Sequence, residues 1–196
     1  MVKIKKELLR QAAIDVIAEN GFHDATIEKI AAKAKVAVGT VYNYFENKES
    51  ILDYIFQVEY EKRVEFLSEL SKENKDPLDK IREIMAFHFS ELKQNQNLAK
   101  VILKERSFNK QDKMSNIRNF EQLPIYISKI IQDGIDKSLI RKCNAEILSV
   151  VLFGSIEAIL TKFIIENEQS DKSDSLDIAA DEIWKLLKFG LTPSQT

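Results

Sequence analysis

The stretch TIEKIAAKAKVAVGTVYNYFENKE, Thr26 to Glu49, decides the fold. Its apolar residues form two short helical sets: Ile27, Ile30, Ala31 and Ala34, then Val36, Val41 and Phe45. Between them AKVAVG is too short for a strand with its turn. It suits the bend of a helix-turn-helix. Thr26 is a good N-cap for the first helix, which the pattern extends to about Ala34. The second covers roughly Val38 to Phe45, and Asn47 caps a longer helix behind it.

A helix-turn-helix reads DNA by placing the N-terminal end of its second helix in the major groove. That end needs small residues, and Val38, Gly39 and Thr40 supply them. With Val41 and Phe45 turned inward, Tyr42 and Asn43 fall on the groove-facing arc. Tyr44 falls on the flank, where a phenol can reach a phosphate. Lys48 brings a charge to the N-terminus of the following helix, whose amides also favour an anion. Thr26 is similarly placed at the preceding one. The rival reading of the same spacing is a three-helix bundle with ordinary polar surface residues.

Working outward, 5 glycines and 3 prolines in 196 residues are too few for the turns of an all-β protein, so the chain is expected to be all-α. A single cysteine, Cys143, excludes an internal disulfide. With only His23 and His88 beside it, a metal cluster and a metal cofactor are not expected. MVKIKKELLRQ has no apolar run behind it, so no signal peptide is expected and the protein reads as cytoplasmic. The most apolar segment, Ile147 to Ile165, is interrupted by Glu157 and Lys162. It reads as a buried helix, with no membrane partner. The net charge of −2 divides into +2 for residues 1–48 and −4 for the rest, which suits a small DNA-reading head on an acidic body.

In chain order, a first helix is expected from Lys3 to Asn20, ended by Gly21, with Phe22 tucked back as a plug. The helix capped by Asn47 runs to about Ser71. Asp76-Pro77 opens a helix to Lys93. QNQN separates it from a helix over Leu98 to Phe108. The pattern from Met114 to Ser138 contains Pro124, which either kinks one helix or separates two. Asn144 caps an apolar helix from Ala145 to about Asn167. ENEQSDKSDS reads as a mobile loop, and a last helix spans Leu176 to Phe189, stopped by Gly190 and Pro193.

GFHDATIEKIAAKAKVAVGTVYNYFENKESIL resembles the N-terminal domain of TetR-family transcriptional regulators. Gly21-Phe22, Ala25-Thr26, Ile30-Ala31, Ala34, Val36, Gly39-Thr40-Val41-Tyr42, Tyr44-Phe45 and Lys48-Glu49 carry the likeness. The resemblance implies a homodimer: an N-terminal three-helix DNA-binding head, residues 1–47, and a C-terminal helical ligand-binding and dimerisation domain, residues 48–196. It also implies DNA contacts at Val38, Gly39, Thr40, Tyr42, Asn43, Tyr44 and Lys48. Further on, HFSELKQNQNLAKVILKER, DGIDKSLI and LFGSIEAIL resemble regulators of fatty-acid degradation that respond to acyl-CoA. A long-chain acyl-CoA is then the implied effector.

The residues themselves are compatible with that. Phe87, Leu98, Val101, Ile102, Phe108, Tyr126 and Ile130 could line an apolar cavity beside Pro124, with Arg106 meeting a phosphate or carboxylate and Lys104 assisting. The alternative is plain core, with Arg106 paired to Glu105 or Glu121. His88, between Met85 and Leu92, reads as a satisfied core histidine. The helix after Asn144 has two apolar stripes. That of Ile147, Val151, Gly154 and Ala158 could face a second subunit, with Ile183, Trp184, Leu186 and Leu187 of the last helix completing a four-helix interface.

Two readings follow. The first is a ligand-responsive repressor released from a palindromic double-stranded DNA operator by a small apolar or amphipathic molecule. The second is a ligand-independent DNA-binding dimer, controlled by a protein partner or acting in chromosome organisation. A solid core around Val101 and Tyr126 would favour the second. An enzyme is not expected, because no phosphate-binding or nucleophile-elbow motif occurs.

Overall fold

Helix α1, Val2–Asp24, is broken at Gly21, whose φ of 78° and ψ of 158° are open to glycine but strained for other residues. The sequence places the helix end at this glycine, and the backbone does leave the helix there, but one further turn follows it. The computed structural model describes residues 2–108, 119, 122–162 and 173–192. The described residues are helical throughout their regular structure, so the chain is all-α.

After α1 come α2, Ile27–Lys33, α3, Val38–Tyr42, and α4, Lys48–Lys72. Asn47 and Ser50 cap α4 reciprocally: the Asn47 side chain accepts from the Ser50 N–H at 2.8 Å, and the Ser50 hydroxyl accepts from the Asn47 N–H at 3.3 Å. Helix α5, Pro77–Gln94, starts as the Asp-Pro signal requires, with the Leu78 N–H on the Asp76 carboxylate at 2.8 Å. Helix α6, Gln96–Phe108, follows after one residue, because Asn95 caps it through the Leu98 N–H. QNQN is therefore mostly helical and not a spacer.

Helix α7, Leu123–Asp136, settles the role of Pro124: it lies in the first turn, where a missing N–H costs nothing. Of the Met114–Ser138 pattern, residues 114–118, 120 and 121 lie outside the described residues. Helix α8, Ala145–Leu160, is capped by Asn144 as expected. Residues 163–172, with most of the polar ENEQSDKSDS stretch, also lie outside. Helix α9, Ser173–Leu191, does not stop at Gly190 as its sequence suggests but runs one residue past it. Among the described residues no helix is long and apolar enough to cross a membrane.

The chain packs into two compact units. The first comprises α1, α2, α3, α4 up to Lys62, and α6. Its core joins Leu9, Ala13, Ile14 and Ile17 of α1 to Ile30, Val41, Phe45 and the α4 residues Ile51, Leu52, Ile55 and Phe56. Helix α6 packs on α1 and buries Leu98, Ala99, Val101 and Ile102. Burying a large aliphatic side chain contributes roughly 1.5–3 kcal/mol. Packing therefore outweighs the Asn97–Asp15 hydrogen bond, 3.0 Å, in holding α6 there.

The second unit comprises α4 from Arg63, α5, α7, α8 and α9. Its core includes Leu70, Ile81, Met85, Ile127, Ile131, Leu152, Ile156 and Leu160. The α7 C-terminus closes in a paired pattern, Ser138 N–H to Ile135 and Leu139 N–H to Gly134, with Ser138 at φ 57°. Gly134 is required there: a Cβ would meet Ile140 Cδ1 at 2.6 Å and Pro77 Cβ at 3.0 Å.

Candidate nucleic-acid interface and effector cavity

Thr26 caps α2 through the Lys29 N–H at 3.3 Å. The Glu28 carboxyl is held below its ordinary range by its own backbone N–H and by the Thr26 hydroxyl. Thr26 is exposed, but its hydroxyl already serves the helix. At the other end of α2 the Lys35 N–H meets the Ala32 carbonyl and the Val36 N–H meets that of Ala31. This closure puts the residue after the C-cap in the left-handed region, and Lys35 sits there at φ 56°.

The bend delivers α3 with two distinct faces. Val41 and Phe45 are buried, while Val38, Gly39, Tyr42 and Asn43 are exposed and Thr40 and Tyr44 half-buried. Only Val38 to Tyr42 is α-helix. Residues 43 and 44 continue as a turn, with the Phe45 N–H still on the Val41 carbonyl. The short helix leaves Tyr42 and Asn43 at its free end and Gly39 with open space where a Cβ would stand.

The lysines behave differently from their count. The Lys48 ammonium donates to the carbonyls of Phe22 and His23. Lys29 donates to Asp24 O and Asn20 Oδ1, and Lys33 pairs with Glu19 at 3.0 Å. All three converge on the C-terminal end of α1, the negative end of its dipole. Arg10, nearly buried, binds Glu7 and reaches Glu59 at 3.4 Å, and Lys6 lies 3.8 Å from the Tyr54 ring centroid. Much of the basic charge of the head is thus used internally. Lys35 remains exposed at the bend.

Glu105 of α6, 8% exposed, reaches the same corner. Burial pushes its carboxyl above the ordinary range, opposed by a hydrogen bond from the Phe22 N–H and by the charges of Lys104 and Lys48. The broken segment after Gly21 is therefore gripped on its N–H side by Glu105 and on its carbonyl side by Lys48.

The second unit holds an apolar cavity between α4, α5, α7 and α8. Phe66 and Phe87 both line it and stack on each other at 4.1 Å with 9° between ring planes, and the His88 ring lies 6.0 Å from that of Phe153. Leu123, Ile127 and Ile156 complete the wall, and Arg63, 2% exposed, brings a guanidinium to it. The free space is about 20 Å³, room for about one water molecule.

Of the residues expected at a ligand site, the structure places Phe87 on this cavity. Tyr126 and Ile130 line a neighbouring open groove instead. Val101 and Ile102 belong to the core of the first unit and Lys104 is half-buried there; the Arg106 side chain lies outside the described residues. His88, expected as a satisfied core histidine, is half-buried and lines the cavity beside Phe153. Arg63 escaped the sequence reading, although a charge among Phe56, Phe66 and Leu67 on the α4 stripe was a visible signal.

Ile147, Val151, Gly154 and Ala158 form an exposed stripe on α8, with Val150 beside it; Ile147 is 63% exposed. On α9 the residues that match it are Ile178, Leu186 and Phe189. Ile183 and Leu187 turn into their own core, and Trp184 is half-buried beside Arg82.

A helix-turn-helix with an exposed, short second helix, joined to a helical unit with an apolar cavity, defines a helix-turn-helix transcriptional regulator with a sensory part. The chain belongs to the tetR family of bacterial regulatory proteins, whose N-terminal pattern matches residues 9–55, followed by the pattern of the YsiA-like protein C-terminal region at residues 56–190. It is 31% identical over 185 residues to the fatty acid metabolism regulator protein of Bacillus subtilis (strain 168), covering 92% of each chain. It is also similar to the solved fatty acid degradation regulator FadR from Bacillus halodurans, 26% identical with a TM-score of 0.80 over 93% of this chain and 94% of that one. A third similar protein is the transcriptional regulator FadR from Bacillus subtilis, solved in complex with stearoyl-CoA. It is 29% identical with a TM-score of 0.76 over 94% of this chain and 98% of that one.

Proposed function

We propose that this chain is a cytoplasmic repressor of fatty-acid metabolism genes, released from its operator by a long-chain acyl-CoA and without enzymatic activity. The observation that carries the effector is the cavity: aromatic and aliphatic walls with a buried guanidinium suit an acyl chain with a polar end. The stearoyl-CoA complex of the B. subtilis relative supports the same chemistry. The space as it stands is too small for a chain, so entry separates Phe66 from Phe87. Moving the population from 1:99 to 99:1 in favour of the released state requires about 5.5 kcal/mol of differential affinity.

On this reading residues 1–47 read DNA, through Val38, Gly39, Thr40, Tyr42, Asn43 and Tyr44, with Thr26 and Lys48 ordering the frame and facing the backbone. Residues 48–196 bind the effector and pair two copies through the exposed α8 and α9 stripes. A dimer sets two recognition helices about 34–36 Å apart, one turn of DNA.

DNA selected from a random library by the purified protein provides the operator. Stearoyl-CoA is then titrated against the complex in a fluorescence anisotropy assay, and native mass spectrometry looks for a co-purified ligand. Release at micromolar stearoyl-CoA is the expected result. Operator binding unchanged by acyl-CoA of any chain length would overturn the effector. Val101 is packed in a solid core while Tyr126 lines an open groove, so the packing does not favour the ligand-independent reading, which gains only if no small molecule releases the DNA.

A further inference from the structure

The C-terminal end of α4, the connection to α5, and α7 surround an open groove of about 470 Å³, on the face of α7 next to the one that meets the cavity. That volume suits a mononucleotide-sized ligand. Lys72, Lys80, Lys129 and Lys137 line it against two carboxylates, Glu73 and Asp133. Both carboxylates are already matched: Asp133 by Lys137 at 2.8 Å, and Glu73 by Lys75, outside the groove, at 2.6 Å. Lys72, Lys80 and Lys129 are left as the excess charge.

Lys80 is 6% exposed, and its ammonium donates to the Ser71 carbonyl at 3.1 Å. An ammonium has three donors, and a buried one is costly unless they find acceptors. Tyr126 adds a half-buried ring, with the Lys129 ammonium 5.7 Å from its centroid. A flat π face beside clustered cations fits a base that stacks while its phosphates meet the lysines. Leu67 lines both groove and cavity, and successive α7 residues, Tyr126 and Ile127, face one each.

We propose that this groove binds an adenine nucleotide with several phosphates, and that in the acyl-CoA effector it holds the nucleotide end while the cavity receives the chain. The effector half of this statement rests on the reading given above; the nucleotide half stands on the groove. Lys72, Lys80 and Lys129 meet phosphates, and Tyr126 stacks on the base.

Isothermal titration calorimetry of the full chain with free coenzyme A, ATP, stearoyl-CoA and stearate tests it. The wild type is compared with Lys72→Ala/Lys129→Ala and with Tyr126→Ala; circular dichroism melts confirm folding. Free coenzyme A binds the wild type, and the double variant weakens coenzyme A and stearoyl-CoA by about tenfold or more, the worth of lost charge-assisted hydrogen bonds. Stearate binding stays unchanged. ATP binding as tightly as coenzyme A would support the nucleotide site and point to a free nucleotide as its source. Stearoyl-CoA binding equally to wild type and folded double variant would overturn the groove while leaving the effector. Coenzyme A binding with no gain from the acyl chain would overturn the effector while leaving the groove.

Discussion

The ammonium of Lys48 sits 3.0 Å from the carbonyl oxygen of Phe22 and 4.8 Å from the centroid of its ring, so the first residue of α4 is fastened to the last turn of α1. A second hydrogen bond, 2.8 Å to the His23 carbonyl, completes the tie. Lys48→Ala is expected to lower stability by about 1 kcal/mol, a hydrogen bond to a charged group discounted for partial exposure. Operator affinity falls with it. Thermal melts and anisotropy titrations at one fixed salt concentration measure the two effects. An unchanged melting temperature would show that the tie contributes nothing.

Gly39 and Tyr42 separate reading from folding. A Cβ at Gly39 meets nothing within 4 Å inside the protein, and alanine is favoured over glycine in a helix by about 1 kcal/mol. Gly39→Ala should therefore keep or raise the melting temperature while weakening operator binding, because the added methyl stands where DNA approaches. Tyr42→Ala, at a side chain 55% exposed, should weaken binding and leave both stability and the dimer unchanged. Full operator affinity in both variants would place the reading face elsewhere.

Glu105 predicts a pH dependence. Its folded pKa is raised, chiefly by burial, so its contribution to stability is complete below the unfolded value of about 4.5 and is lost as pH rises through the folded value. Glu105→Gln keeps an acceptor for the Phe22 N–H and removes that loss. The variant should be at least as stable as the wild type at pH 7, with a flatter stability profile above pH 4.5. Urea denaturation at a series of pH values measures it, and a variant less stable at pH 7 would show that the charge, through Lys48 and Lys104, outweighs its burial.

Gly134→Ala tests the close approach at the end of α7. The new methyl would press on Ile140 and on Pro77, which belongs to the start of α5. Overpacking of this kind costs typically 1–3 kcal/mol. Chemical denaturation should show a loss in that range, and the operator affinity of the folded fraction should be unchanged.

The head was legible because its rules are local. Thr26 and Asn47 cap the helices that follow them, Gly21 breaks α1, and the alternation of Val41 and Phe45 with Tyr42 and Asn43 separates the faces of α3. Charge was less legible. Lys29, Lys33 and Lys48 look like a basic patch in sequence but are spent on the end of α1, since nothing in a count says which carbonyl or carboxylate lies nearby. The cavity was least legible. Tyr126 and Ile127 are neighbours on an apolar helix, and which of them meets Phe66 depends on how four helices pack. For the same reason Ile183 and Leu187 are not separable in sequence from Leu186, which is exposed with Ile178 and Phe189 while those two are buried in their own core.

Lys35 holds a left-handed backbone at the bend of the helix-turn-helix, a conformation that costs an ordinary residue about 1–2 kcal/mol and glycine almost nothing. Its side chain is exposed, so replacing it sacrifices no packing. A laboratory selecting variants of this regulator for heat resistance would therefore meet Lys35→Gly early, and would give up one positive charge beside the recognition helix in accepting it. At this codon, hardiness and grip on DNA select in opposite directions.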